Sequence, residues 1–436
     1  MKGKIIKIEA DWVLPVTSPP IKDCAIIVED DVITNVREKG DLSKFPCDEI
    51  IDCSGKILMP GLINAHAHLE LTGFKGKIKR GLSFTDWARE VVSMRSAINE
   101  TEITSAIENG LNELISSGVT AIGDFSQTGI TVSLLNEKGL RGTVFLEFAG
   151  FNPELKDQRM KELKEKIPQS PPLVKGGRGG FVKFGIAPHA PYSVSKELLK
   201  ESCKFAKKKG LPIAIHISEM SEEIELMKNG SGSMKDLLID FGVWDDEWKV
   251  PYSTPVSYLD GLGILKGTTG IHLNIVTDDD IRILKENGVS VVYCPGSNRW
   301  FGRNWKYPLR EFLNNHINVA LGTDSLASNE CLNMFYEMRI VKENFSDIDN
   351  NTLLKMATIN GAKAIGFEGE TGEIAVGRKA DIIGVDVKES SIADPVEYVI
   401  NRAERVSFIV VDGEIIIMGK PPALLGDSQS LTITGI

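Results

Sequence analysis

The sequence predicts an α/β chain: a (β/α)8, TIM-like barrel over 59–369, and a small β-sandwich that both chain ends, 1–58 and 370–436, build together. Three observations carry this expectation. Strand-like and helix-like segments alternate through the middle of the chain, as a succession of parallel βα units requires. The amino-terminal end is rich in short β-like runs with nothing helical to cover them, and a comparable β-rich stretch returns at the far end. At five strand ends in the middle region stand His or Asp (His66 with His68, His189, His216, His272, Asp324), and parallel β/α barrels carry their active sites at the carboxyl ends of the strands.

At the amino-terminal end, Lys4–Ile8, Ala25–Val28, Val32–Val36 and Glu49–Ile51 read as strands, with Glu29-Asp30-Asp31 as a hairpin connection. At the other end, 381–385, 406–411 and 414–418 read the same way, with Asp412-Gly413 as a strong hairpin turn. Neither end alone has enough strands for a stable sheet packed on another, so the two are expected to combine. Eight barrel strands are expected near 62–64, 119–124, 142–146, 182–187, 212–216, 269–272, 290–293 and 318–321, the number that closes a barrel. Helical spacing of apolar residues marks 83–98, 102–116, 197–208, 278–286 and 330–341. The stretch 167–180 carries three prolines and four glycines, so a mobile inserted loop on the amino-terminal side of the barrel is expected. No helix follows it to hold an anion, and Gly372 to Gly377 lacks the Lys and Ser or Thr of a phosphate loop.

A chain of 436 residues, 42% hydrophobic and 25% charged, can bury a large core. Its net charge of −10 argues against a nucleic-acid partner or an anionic membrane, which need a concentrated basic face. Six scattered cysteines without a Cys-x-x-Cys pair read as reduced thiols. The first fifteen residues break their apolar run with Glu9 and Asp11, and no run of about 18 apolar residues occurs. A cytoplasmic protein with a small-molecule ligand is the expectation.

The chain is organised around Pro60-Gly61-Leu62-Ile63-Asn64-Ala65-His66-Ala67-His68-Leu69-Glu70. Residues i and i+2 of a strand share a face, so both imidazoles leave the strand end together. Two imidazoles alone are as readily a solvent-facing strand end. His216 and Asp324, each closing a further strand, add the third nitrogen and the oxygen that a divalent ion needs, and three imidazoles with a carboxylate accept zinc, iron or manganese, while His272 closes another strand as a second metal ligand or a hydrogen-bond partner to the hydroxide. Glu219, three residues past His216, falls where a carboxylate can turn into the cavity and serve as general acid–base. Glu222, Glu223 and Glu225 read as a solvated helix face. Glu70, Trp87 and Glu147 could line the same mouth, an aromatic face for stacking and carboxylates for ribose hydroxyls or exocyclic nitrogens.

The run from Pro60 to His68, His216-Ile-Ser-Glu219, His272 and Gly322-Thr-Asp324 together resemble the amidohydrolase superfamily, in its nucleobase and nucleoside deaminase branch. The resemblance implies one divalent metal ion, zinc first and iron or manganese as alternatives, on His66, His68, His216 and Asp324. It implies that Glu219 carries the proton, that Asp324 also accepts one from the attacking water, and that His189 holds base or ribose. Dinuclear members bridge two metals with a modified lysine on the fourth strand. Lys183 lies six residues before His189, at the wrong end of that strand, so one metal is expected, with His272 polarising the water or the developing oxyanion. Softer signals, in His68-Leu-Glu70-Leu-Thr72, Cys294-Pro-Gly-Ser-Asn298 and Gly322 to Asn329, resemble aminodeoxyfutalosine deaminases, which act on 6-amino-6-deoxyfutalosine in the futalosine route to menaquinone. The rivals are deaminases of S-adenosylhomocysteine, methylthioadenosine or adenosine, and triazine-type chlorohydrolases. A non-catalytic barrel scaffold is the reading of another class, and such relatives usually lose ligands that this sequence keeps. Among similar enzymes a homodimer is a common arrangement.

Overall fold

The computed structural model describes residues 3–167, 181–303, 306–389 and 392–419. The loop expected at 167–180 lies outside them apart from Ile167, which ends the helix Lys156–Lys166. The eight barrel strands are β1 (Leu62–Ala67), β2 (Val119–Ser126), β3 (Arg141–Phe148), β4 (Val182–Pro188), β5 (Ala214–Ile217), β6 (Thr269–His272), β7 (Ser290–Tyr293) and β8 (Val319–Leu321). They pair in parallel as two arcs of four, β1-β2-β3-β4 and β5-β6-β7-β8. Single bridges from Ile186 to Ile213 and from Ala67 to Asp324 join the arcs and close the ring. All eight lie where the alternation of the sequence puts them.

Small and aromatic side chains fill the interior of the ring: Ala65, Ala121, Phe125, Phe145, Ala187 and Val292 are buried together. The amino-terminal mouth is plugged by the helix Ile359–Ala364 and the residues after it. Thr143 donates to the Ile365 carbonyl at 2.6 Å and Thr269 to the Ala364 carbonyl at 2.7 Å, so the plug is hydrogen-bonded to β3 and β6. Lys183 stands at this end, bonded to Glu370 at 2.6 Å and to the Gly366 carbonyl at 2.7 Å. Exposed His316, in the turn before β8, is far from the other histidines in role: it joins none of their ring contacts. With one mouth filled, only the carboxyl end of the barrel is left to admit a ligand.

Both chain ends share one seven-stranded mixed sheet. Its order is Glu414–Met418, Phe408–Val411, Ile382–Asp386, Glu49–Pro60, Ile5–Val13, Ile21–Glu29, Val32–Glu38. The junction is the antiparallel pairing of Ile382–Asp386 with Glu49–Pro60, whose far end runs through Gly61 into β1. Asp412 and Gly413, with φ of 53° and 79°, make the two-residue hairpin turn that their identities favour. A buried ion triad ties sheet to barrel. Arg141, which opens β3, donates to Asp381 at 2.8 and 3.1 Å and to Asp412 at 3.0 Å, and the Asp412 amide donates to Asp381 at 2.9 Å. Each partner of this triad is buried.

Removing one partner of such a triad leaves the other charge buried and uncompensated, which costs about 3–5 kcal/mol. Asp381→Ala is therefore expected to lower stability by that amount in urea unfolding. A loss under about 1 kcal/mol would show that the triad is not what joins sheet to barrel.

Candidate active site

The end of β8 is stitched to the end of β1. Asn64 donates to Thr323 Oγ1 at 2.7 Å, and the amides of Thr323 and Asp324 both reach the His66 carbonyl at 3.0 Å. Gly322 permits this approach, because a Cβ there would meet the Cβ of His66 at 2.8 Å and Cγ1 of Val292 at 2.9 Å. Ser218, His272, Leu273 and Asp324 have φ of 52°, 70°, 51° and 61°. They are four of the ten described non-glycine residues with positive φ, so backbone strain of about 1–3 kcal/mol each is concentrated where the strands turn their last side chains inward.

Those side chains converge. Nε2 of His66 and of His68 lie 3.6 and 3.8 Å from Oδ1 of Asp324. The ring of His66 is 5.0 Å from that of His216 and 5.7 Å from that of His272. Candidate ligand atoms lie within 4.8 Å of one another in each of three overlapping groups: His66, His216 and His272; His66, His68 and Asp324; His68, Glu147 and His216. Nδ1 of His216 faces the His189 carbonyl at 3.0 Å. A carbonyl only accepts, so Nδ1 carries the hydrogen and Nε2 is left as the ligating nitrogen. Ser297 and Ser328 donate to Asp324 Oδ2 at 2.8 and 2.9 Å, which leaves Oδ1 for the imidazoles.

The donor set fits a divalent metal. Both ring nitrogens of His66 are buried without a hydrogen-bond partner, which is costly unless something else binds them. Burial lowers the pKa of His68 and of His189 to about 4, and takes His216 and His272 well below their usual value. They are neutral near pH 7, the form that ligates. Burial opposes ionisation of Asp324, but the imidazoles of His66, His272 and His68 outweigh it and hold the carboxyl well below its usual range.

Beside this cluster stands Glu219, buried, with Oε2 3.6 Å from Nε2 of His272. Burial raises its pKa to about 7, against the opposing charge of Arg303, which donates to Oε1 at 2.8 Å. A carboxyl poised there can both take and return a proton. Its amide donates to Glu223 at 2.8 Å. Glu223 is buried, and burial pushes it up to about 8, so it is not the solvated face expected; one turn of the helix Ser221–Asn229 folds it back under Glu219. Glu222 is half-buried and Glu225 exposed.

The cluster forms the floor of a cavity of about 320 Å3, lined also by Glu147, His189 and Trp87 and walled by apolar side chains such as Phe84, Val91, Leu237 and Phe241. Trp87, from the helix Phe84–Ala97, donates its indole N–H to the Ala327 carbonyl at 2.9 Å, locking the wall to the loop that follows Asp324. Glu147 lies 3.9 Å from both His68 and His216, and burial raises its pKa. Glu70 does not line the cavity. It is taken up by Ser126 at 2.5 Å, by the Thr128 amide and hydroxyl at 2.9 and 2.8 Å, and by Arg95, and it is Arg95 that reaches the cavity wall. Arg95, Arg159, Tyr192 and Arg303 were not legible as site residues, since none falls in a recognisable spacing. Ser297 and Ser328 fall inside the loops singled out above, where a hydroxyl near a ligand carboxylate was the available signal.

A closed barrel with converging imidazoles, an aspartate among them and a buried glutamate beside them at its carboxyl mouth has the arrangement of a metal-dependent enzyme site. Residues 57–416 match the amidohydrolase family, and the chain belongs to it, as a hydrolase acting on carbon–nitrogen bonds. The 5-methylthioadenosine/S-adenosylhomocysteine deaminase of Thermoanaerobacter pseudethanolicus is 32% identical over 419 residues, 92% of this chain and 90% of that protein. The aminofutalosine deaminase of Helicobacter pylori, solved with methylthio-coformycin, is 26% identical with a TM-score of 0.82, over 95% of this chain and 100% of that one. An adenosine deaminase from Xanthomonas campestris, solved with bound zinc, is 25% identical with a TM-score of 0.81, over 97% and 94%. No described helix is long and apolar enough to cross a membrane.

Folded Glu219 holds its proton more tightly than an unfolded glutamate near 4.5, so its contribution to stability is present below that pH and is lost as pH rises through about 7. Glu219→Gln is therefore expected to stabilise the metal-free chain over wild type by up to about 3 kcal/mol at pH 8 and by little at pH 4.5. Urea unfolding at the two pH values checks this; a difference independent of pH would refute a raised carboxyl.

Proposed function

We propose that the chain is a metal-dependent deaminase of adenine nucleosides, replacing the 6-amino group of the purine by an oxo group with release of ammonia. The observation that carries the reading is the position of Glu219, buried beside His272 and the cluster of His66, His68, His216 and Asp324, on the floor of a cavity walled by Trp87. His66, His68, His216 and Asp324 would hold one divalent ion, with zinc favoured by the zinc bound in the Xanthomonas campestris deaminase. When bound, the ion supplies a Lewis acid that makes water nucleophilic near neutral pH.

The chain's own residues do the rest. Glu219 takes a proton from the attacking water and delivers it to the ring nitrogen next to the carbon attacked. Asp324 accepts the second proton as the tetrahedral centre forms and passes it to the amino nitrogen, so that the carbon–nitrogen bond breaks with ammonia leaving and the carbon–oxygen double bond forming. His272, 3.6 Å from Glu219, faces the same space and donates to the developing oxyanion. Trp87 offers a flat apolar face to the purine, while His189 and Glu147 offer polar groups to ring nitrogens or ribose hydroxyls. Glu70 serves the site at one remove, by holding Arg95.

For the substrate itself, 6-amino-6-deoxyfutalosine is the first candidate, which would place the chain in the futalosine route to menaquinone. The likeness to the Helicobacter pylori enzyme over the full length of that chain supports it. Methylthioadenosine and S-adenosylhomocysteine form the second reading, favoured by the 32% identical relative and by the apolar mouth at Val92 and Phe241. Ammonia release measured side by side on aminodeoxyfutalosine, S-adenosylhomocysteine, methylthioadenosine and adenosine decides between them. The candidate is expected to exceed adenosine in kcat/KM at least tenfold, a difference of about 1.4 kcal/mol in transition-state binding. Release from no member of the panel would favour the scaffold reading.

His216→Ala is expected to empty or badly weaken the metal site without unfolding the barrel, whose core is apolar; full metal occupancy and rate would overturn the ligand set. Glu219→Gln is expected to lower kcat by about 10²–10⁴-fold with metal content unchanged. A near-native kcat would sink the proton-carrying role.

A further inference from the structure

Glu219 is held by a circuit of hydrogen bonds that starts and ends on it. Arg303 donates through Nη2 to Glu219 Oε1 at 2.8 Å and through Nη1 to Asn298 Oδ1 at 2.9 Å. Asn298 and Asn274 exchange amide bonds at 2.7 and 3.1 Å, and Asn274 donates to the Glu219 carbonyl at 2.9 Å. Glu223 receives the Glu219 amide from the other side. The guanidinium lies over the ring of Phe301, 4.4 Å from its centre, and Phe301 packs edge-on against Trp87 at 5.3 Å. Arg303 does not line the cavity, whereas Glu219 and Trp87 do.

We propose that Arg303 is a positioning residue for the deamination: its planar fork clamps Glu219 Oε1 to Asn298 and so presents Oε2, the oxygen facing His272, to the water and the purine nitrogen. The proposal rests on Glu219 as the proton carrier. A carboxylate turns easily about its last torsion, which is broad and has no staggered wells, so a single unclamped carboxylate would sample orientations in which neither oxygen meets the reacting atoms. The fork removes that freedom with two charge-assisted bonds, and it does so from outside the cavity, where it cannot touch the substrate. The stack on Phe301 fixes the fork in turn, since Phe301, packed behind the Trp87 that lines the cavity, also holds the guanidinium. Because the clamp sets where the proton is carried, its loss falls on the transition state more than on the bound substrate.

The test is a double-mutant cycle on the metal-loaded enzyme, with its best substrate from the panel. Arg303→Met keeps the stem on Phe301 and removes the fork. It is expected to lower kcat by about 10- to 100-fold, with KM within about threefold and metal content unchanged. Affinity for a purine analogue bearing a tetrahedral hydroxylated carbon, measured by calorimetry, is expected to fall by a similar factor while affinity for the oxo product holds. Arg303→Lys, which keeps the charge but cannot bridge Glu219 and Asn298 together, is expected to recover part of the loss. In Glu219→Gln, adding Arg303→Met is expected to cost less than about twofold, because the group it positions has already lost its function. A near-native kcat for Arg303→Met beside a crippled Glu219→Gln overturns the clamp alone. The full Arg303→Met loss persisting in the Glu219→Gln background also overturns it, since Arg303 would then act elsewhere. A near-native Glu219→Gln overturns the proton-carrying role and the clamp with it. If Arg303→Met does not fold, the same cycle run with Arg303→Lys reads the same coupling.

Discussion

The molecule depends on one closure. Where β8 ends, Asp324 bridges to Ala67 of β1, and the two last backbone amides of that strand end bind the His66 carbonyl. With the bridge from Ile186 to Ile213 on the other side, this seam closes the ring of eight strands, and it brings His66, the first histidine of the chain, against Asp324, 258 residues later. A barrel that failed to close there would lose its site along with its shape. Gly322 is the residue that the seam cannot do without, since any side chain would push His66 away. The strained φ values of Ser218, His272 and Asp324 lie on the same rim, and the apolar interior beneath them supplies the packing that holds such conformations in place.

Legibility in the sequence followed the range of the forces involved. The eight barrel strands were readable because each is a short apolar run whose neighbours are set by a repeating pattern, and the rule for parallel strands then leaves few topologies. That His66, His68, His216, His272 and Asp324 meet at one mouth, with Glu219 just past its strand, was readable because strand ends have a fixed address in that architecture. Glu223 was misread because a charged residue at the start of a helix is normally solvated, and only the turn of the chain at Ser218, with its positive φ, brings it beneath Glu219. The helices Thr131–Lys138, Pro295–Trp300 and Ile359–Ala364 were missed because runs of eight residues or fewer hold too little periodicity to stand out, and their packing decides their form. Arg95 and Arg303 were invisible for a further reason: a long flexible side chain meets its partner through tertiary contact, and no local spacing encodes it.

The buried charges are distributed by task. Arg141 with Asp381 and Asp412 joins sheet to barrel far from the mouth, and each of these charges has a partner. Glu70 is likewise fully bonded, by Arg95, Ser126 and Thr128. Around the cavity some groups are left without a hydrogen bond: His66 has no hydrogen-bond partner on either nitrogen, and Glu147 has none on Oε1. Buried imidazole and carboxylate atoms without a hydrogen-bond partner, converging on one point, are what a group that binds there would engage.

The walls of that cavity complete the argument. Burying a carboxyl such as Glu219 raises its pKa because protein replaces solvent around it, and the cavity it faces is lined by the apolar side chains of Phe84, Trp87, Val91 and Leu237. The same walls that tune Glu219 would, in the reaction proposed above, provide the flat apolar surface for a purine, so recognition and acid–base chemistry would share one physical origin. Arg303 opposes that burial from behind, keeping Glu219 from becoming a permanently protonated acid. The balance between an apolar wall in front and a guanidinium behind holds the Glu219 pKa at about 7, where a carboxyl is able both to accept and to give up a proton.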